Sequence, residues 1–349
     1  MIRINYSGFL FLVAAVFASF LLISCGSTAP KIGAAKKIRI GFAMDALKQE
    51  RWQKDRDLFL KRAAELDAEV ILQTADGSDE VQMKQVESLL TQGIDVLVIV
   101  PHNAEVAGAM VEMAQKQNVP VISYDRLAKN CAPDLYISFD NERVGELQAK
   151  YLLDHAPNGN YILIGGAPTD NNSLLLRKGQ MTVLQPAIDN RSIKVVADQW
   201  AKEWLADEAL KHTENALTQN NNDVVAVVAS NDGTAGGVIQ ALIAQKLGGK
   251  VLVSGQDAEI GALQRIVEGT QTMTVYKPIS KLAPAAVEAA ITLAKRQKLN
   301  TTRTVNNGKI DVPSILIEPI TVDKSNIDET VIKDGFQKKE DVYKTAKGQ

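Results

Sequence analysis

Six short β-rich runs in this 349-residue chain finish on side chains suited to binding. Val98-Ile99-Val100 leads into Pro101-His102-Asn103, Val121-Ile122-Ser123-Tyr124 into Asp125-Arg126, and Ile137-Ser138-Phe139 into Asp140-Asn141. Val227-Val228-Ala229-Ser230 leads into Asn231-Asp232, Leu252-Val253-Ser254-Gly255 into Gln256-Asp257, and Met273-Thr274-Val275-Tyr276 into Lys277. One such ending is an N-cap for the next helix and no more; that reading covers Asp140 and Asp232. Six endings rich in Asp, Asn, Arg, Gln and Lys, spread over both halves, describe instead a cleft lined with hydrogen-bonding groups. Carboxylate acceptors mixed with cationic donors suit a neutral polyol, whose hydroxyls each donate and accept. Charge-assisted hydrogen bonds are also about twice as strong as neutral ones. The C–H face of a sugar ring calls for an aromatic plate, and Trp52, Trp200 and Trp204 are the chain's three tryptophans.

Catalytic chemistry finds no comparable foothold. No glycine-rich dinucleotide or P-loop fingerprint follows a strand, and there is no G-x-S-x-G elbow. His102, His155, His212, Cys25 and Cys131 are scattered without metal-ligand spacing. No catalytic residue, metal or cofactor is therefore expected. Gly165-Gly166 reads as a strand-end turn and Gly236-Gly237 as a close helix–sheet contact, not as phosphate cradles.

The strand ends have to be carried by something. Short Val/Ile/Leu-rich runs alternate with helical stretches: Ile38–Ala43, Glu50–Leu66, Glu69–Gln73, Val81–Gln92, Val96–Val100, Ala104–Gln117, Val119–Ser123. The alternation resumes through Tyr161–Ile164, Leu174–Ala187, Lys194–Ala197, Ala206–Thr218, Val224–Ala229, Thr234–Gln245, Lys250–Ser254, Ile260–Glu268 and Thr272–Tyr276. Near-continuous apolar strands separated by helices predict parallel sheets covered on both faces. Ten or so such strands overfill one ordinary sheet, so the fold class is α/β with two parallel-sheet units. In open parallel sheets, ligands bind beyond the carboxyl ends of the strands, which is where the polar endings lie.

Composition agrees. Apolar residues are 46% and charged residues 23%, near the averages for soluble globular chains. Lys plus Arg number 39 and Asp plus Glu 41, a formal charge of −2 that gives no global footprint for nucleic acid. At the N-terminus, Arg3 precedes an uncharged apolar run from Phe9 to Ile23, too short for the ~20 residues of a spanning helix. It reads as a signal-peptide h-region. Leu22-Ile23-Ser24-Cys25-Gly26 is similar to a bacterial lipobox, so 1–24 is expected to be a signal peptide and Cys25 to be lipidated. An ordinary secretory signal or an uncleaved anchor is the alternative. Residues 25–36 then form a lipid-anchored tether. Cys131 is left without a disulfide partner, as a small buried hydrophobe or inert thiol.

From residue 37 to 337 the chain resembles bacterial D-xylose-binding periplasmic proteins, within the ribose/galactose-type solute-binding proteins of ABC sugar importers. The resemblance rests on Glu50-Arg51-Trp52-Gln53-Lys54-Asp55-Arg56-Asp57, Tyr124-Asp125-Arg126, Tyr136 to Glu142, Asp170-Asn171-Asn172, Asp198-Gln199-Trp200, Asn231-Asp232, Ser254-Gly255-Gln256-Asp257 and Gly269 to Pro278. It implies the type I periplasmic binding protein architecture: two Rossmann-like lobes joined by a three-strand hinge. The N-terminal lobe would take 37–142 plus 279–314 and the C-terminal lobe 143–278 plus 315–340, before a disordered tail at 341–349. It implies sugar contacts at Arg51, Trp52, Asp125, Arg126, Asp170, Asn172, Trp204, Asn231, Asp257 and Lys277, with Asn141 and Trp200 as second-rank candidates. It further implies an exported, monomeric receptor that captures D-xylose and delivers it to a membrane permease. The rivals are a receptor for ribose, arabinose or a hexose, and a sensor presenting sugar to a chemoreceptor or histidine kinase. The effector domain of a lac-repressor-type regulator shares the fold, but a secretion signal stands where its DNA-binding helices belong.

Overall fold

Strands that are apolar at every position need cover on both faces, and the protein supplies it. A computed structural model describes residues 36–301 and 303–344. The segment read as a signal peptide, Cys25 and nearly all of the tether lie outside the described residues, as do 345–349. The first part of the chain runs β1 (Arg39–Met44), α1 (Glu50–Glu65), β2 (Glu69–Thr74), α2 (Asp79–Thr91), β3 (Val96–Ile99), α3 (Ala107–Lys116), β4 (Val121–Tyr124), β5 (Leu135–Phe139). It continues with α4 (Asn141–His155), β6 (Gly159–Gly165), α5 (Asn171–Asp189), β7 (Ile193–Trp200), α6 (Ala206–Gln219), β8 (Ala226–Ala229), α7 (Asp232–Ala244), β9 (Leu252–Val253), α8 (Ile260–Glu268) and β10 (Thr274–Tyr276). Then follow α9 (Ile279–Ala294), β11 (Arg303–Asn306), β12 (Asp311–Ile317), β13 (Ile320–Val322) and α10 (Lys339–Val342).

The first sheet has the order β11-β12-β5-β4-β3-β1-β2, parallel except where β11 turns back on β12. The second has the order β7-β6-β8-β9, and a parallel bridge from Gln256 to Val275 adds the antiparallel pair β10-β13 beyond it. Both sheets share the doubly wound pattern 2-1-3-4, whose order reverses beside the first strand and opens a crevice there. The chain passes between the sheets three times, after β5, after β10 and after β12, consistent with a three-strand hinge. Helix α9 returns to cover the first sheet, burying Ile279, Leu282, Ala286 and Val287 against Phe42, Val98 and Ile122.

Local sequence explains most boundaries. Ser78, Asp140 and Asp170 cap their helices by accepting a backbone N–H, and Asn231 forms a capping box with Thr234. Asp232 departs from its expected role. It is the first residue inside α7, and its buried carboxylate accepts from Gln271 Nε2, Thr274 Oγ1 and the Glu259 N–H instead. Gly237 meets α6 and not a sheet, since a Cβ there would strike the Ala206 carbonyl. The expected disordered tail is corrected as far as residue 344. Lys339–Val342 is helical, with Val342 fully buried against a small cluster that includes Val322 and Val331. Cys131 is buried, and burial pushes its thiol up to about 11, an inert state at neutral pH.

Candidate functional site

The crevices of the two sheets face each other across an inner pocket. Its walls are Gln49, Arg51, Trp52, Asp125, Arg126, Asp170, Asn172, Trp204, Asn231, Gln256, Asp257 and Lys277. Every one follows the carboxyl end of a strand: β1 and β4 in the first sheet, β6 to β9 in the second, and β10 beside it. A wider outer cleft continues from it past Gln49, Trp52, Arg126 and Trp204.

Three cations and three carboxylates alternate around the pocket. Arg51 Nη1 donates to Asp125 Oδ2 at 2.8 Å and lies 3.8 Å from Asp257 Oδ1. Arg126 reaches Asp45 at 2.7 Å and, from the other side of its guanidinium, Asp170 at 2.8 Å. Lys277 Nζ stands 3.1 Å from Asp257 Oδ1 and 3.9 Å from Asp125. The Lys277–Asp257 pair is close enough for attraction but wrongly angled for a hydrogen bond, so this buried Asp257 oxygen has no hydrogen-bond partner. Gln256 Oε1 is likewise buried and unpartnered. Buried acceptors of this kind are costly unless something donates to them, and a hydroxylated ligand does.

The neighbouring strands fix these groups. Asp125 sits in the left-handed region (φ 60°), and its carbonyl accepts from Ser138 Oγ at 2.6 Å, Tyr136 at 3.2 Å and Asn172 Nδ2 at 3.1 Å. Burial opposes its charge, but Arg51 and Lys277 outweigh burial and hold its carboxyl below the usual range. Asp170 goes the other way, pushed up by burial against the pull of Arg126. Its capping bond to the Asn172 N–H engages Oδ1, which leaves Oδ2 for Arg126 and for Trp204 Nε1 at 3.2 Å. Asn231 Oδ1 is taken by Thr234, which leaves Nδ2 facing the pocket. Trp52 donates to Gln49 at 2.8 Å and carries Arg51 and Arg126 over its ring at 4.1 and 5.4 Å.

All ten first-rank residues from the sequence therefore lie around one pocket, and the two second-rank candidates do not. Asn141 is buried behind the wall, where its Nδ2 donates to Asn172 Oδ1 at 3.1 Å and steadies it. Trp200 packs on Gly165 beneath Arg177, whose Cζ is 4.9 Å from its ring centre. Each supports a pocket residue or its strand and stands outside the cavity wall. Gln49 and Gln256 were missed. Gln256 stood in plain view at a strand end beside Asp257; Gln49 precedes α1 in a loop that no periodicity marks.

A cluster of acids borders the pocket at the start of α8. Burial pushes Asp232 up to about 7, against the pull of Arg265. Burial, together with the charges of Asp232, Asp257 and Glu50, pushes Glu259 up to about 8. In an unfolded chain such carboxyls titrate near ~4. Between about pH 4 and pH 8 the folded protein therefore holds protons that the unfolded chain has released, and stability must fall as pH rises through that window. The melting temperature is expected to drop from pH 5.5 to pH 8.5, and to drop less steeply in Glu259→Gln. Thermal melts across this range measure both slopes; equal slopes would remove Glu259 from the account.

A family model described as a periplasmic binding protein domain matches residues 40–298, and the chain belongs to that family. Two D-xylose-binding periplasmic proteins stand near it. The one from Haemophilus influenzae is 55% identical over 309 residues, and the one from Escherichia coli K12 is 55% identical over 308. Each alignment covers 88% of this chain and 93% of the relative. Among solved structures, a carbohydrate transporter solute-binding protein from Chloroflexus aurantiacus in complex with D-glucose superposes with a TM-score of 0.83 at 31% identity. That superposition covers 88% of this chain and 98% of the other.

Proposed function

We propose that the protein is an exported receptor that closes two lobes on one molecule of D-xylose and delivers it to an ABC permease. The observation that carries this reading is the pocket itself: alternating charges with unfilled buried acceptors, in a chain 55% identical to D-xylose-binding proteins over 88% of its length. Arg51, Arg126 and Lys277 donate to sugar oxygens; Asp125, Asp170 and Asp257 accept; Asn172 and Asn231 do either; Trp204 and Trp52 flank the ring. Balanced charge suits a neutral ligand, because no net field has to be neutralised. The lobes are 37–142 with 279–314, and 143–278 with 315–340. Closure follows from sugar bonding to both lobes at once, since only a ligand with higher affinity for the closed state shifts the population toward it. Contacts such as Glu50 Oε2 to the Ile260 N–H (2.9 Å), which join α1 to α8, belong to that closed state. Cys25 carries the lipid that tethers the receptor; no cofactor or catalysis enters, and the chain acts as a monomer.

A pentose is favoured over a hexose by the 55% identity to D-xylose-binding proteins, with the pocket wall excluding the extra CH2OH at C5. The D-glucose complex of the Chloroflexus relative is the observation on the other side. Calorimetric titration of the purified protein with D-xylose, D-ribose, L-arabinose and D-glucose separates them. D-xylose is expected to bind tightest, at micromolar Kd or below. Tight glucose binding with none of xylose would falsify the specificity.

A further inference from the structure

We infer that Asp55 is a positioning residue for the sugar site, holding the Arg51 guanidinium so that a single nitrogen faces the ligand. The inference rests on the reading of Arg51 as a sugar contact. Asp55 follows Arg51 by one helical turn on α1. Its Oδ2 accepts from Arg51 Nε at 2.9 Å and from Nη2 at 2.7 Å, while Nη1 alone points to Asp125 and Asp257. Pairs at this spacing usually sit on an exposed helix face; here Arg51 is 2% exposed and Asp55 not at all. Asp55 does not line the pocket. Its other oxygen accepts from the Tyr124 hydroxyl, and Tyr124 is the residue immediately before Asp125. The Tyr124 ring is fixed edge-on against Phe42 at 5.7 Å and Phe59 at 6.2 Å. A chain of contacts thus runs from a rigid aromatic cluster through Tyr124 and Asp55 to Arg51.

Stability alone does not account for this arrangement. Replacing a buried ion pair by well-packed apolar residues is often neutral or stabilising, and this pair is buried. Orientation does account for it. A free guanidinium has five N–H donors and several rotamers; this one has its back edge occupied and one direction left. A sugar oxygen then meets Nη1 without first having to order the side chain.

The test is a double-mutant cycle read by calorimetric titration with D-xylose. Asp55→Asn is expected to weaken binding at least tenfold, and Arg51→Met to weaken it at least as much. The double variant should bind no more weakly than Arg51→Met alone, within twofold. A merely structural role would move melting temperature but would not vanish when Arg51 is absent. The inference is overturned if Asp55→Asn binds within twofold of the parent, or if it costs the same factor in the Arg51→Met background. Should Asp55→Asn fail to fold, Tyr124→Phe decides. It removes only the hydroxyl on Asp55, with an expected threefold or greater loss that disappears in the Arg51→Met background; unchanged affinity overturns the inference. If Arg51→Met itself leaves affinity unchanged, the sugar-contact reading of Arg51 fails, and the inference falls with it for that separate reason.

Discussion

Asp257→Asn should weaken D-xylose binding by roughly 10- to 150-fold, the equivalent of losing one charged hydrogen-bond partner at about 1.5–3 kcal/mol. Asp257 is the pocket carboxylate with a buried oxygen that no protein group hydrogen-bonds, so a sugar hydroxyl gains most by donating there. The substitution keeps shape and one acceptor while removing the charge. Asn is also a better probe than Ala, because Asp257 has φ 99°, where short polar side chains are tolerated best. Lys277 keeps a second carboxylate at Asp125, 3.9 Å away, so the buried ammonium is not stranded and the fold should persist. Titration calorimetry gives the affinity, and a circular dichroism melt shows whether the fold survives. A folded variant with unchanged Kd removes Asp257 from the site.

The residues differ in how openly the sequence displayed them. Asp125, Arg126, Asn231, Asp257 and Lys277 are visible from pattern alone, because a buried parallel strand is an uninterrupted apolar run and its end is the first polar residue after it. Arg51, Asp170 and Asn172 lie past loops whose lengths set their position, and no local periodicity reports loop length; only resemblance to a family picked them out. Helix α9 escaped for another reason. Pro284 lies inside it, and a proline within an apolar run reads as a helix break. It is covered by the first sheet on one side and packs with α1, a tertiary fact that no window of sequence contains. Asp55 is the instructive case. An Arg and an Asp four apart on a helix read as a solvated pair, and only the fold reveals that both are buried and turned inward.

Gly165 and Gly166 set apart the tryptophan that lines the pocket from the one that does not. At each, a Cβ would fall inside an indole's van der Waals surface: Trp200 over Gly165, Trp204 over Gly166. Trp204 has little freedom to yield, held by Asp170 on its Nε1 and by its own left-handed backbone (φ 59°). Gly166→Ala is therefore expected to force the Trp204 ring off its seat and to cut D-xylose affinity at least tenfold. Gly165→Ala should displace Trp200 instead, and because that indole does not line the pocket, affinity should change by less than threefold. Overpacking of this kind costs about 1–3 kcal/mol, so both variants should melt several degrees lower. Similar destabilisation with dissimilar affinity is the signature sought, because it separates a sugar contact by the Trp204 ring, as proposed, from an effect of the strand that carries both rings. Parallel calorimetry and melting of the two variants measure it. Equal losses of affinity would assign the effect to distortion of the β6 loop and take the stacking role away from Trp204.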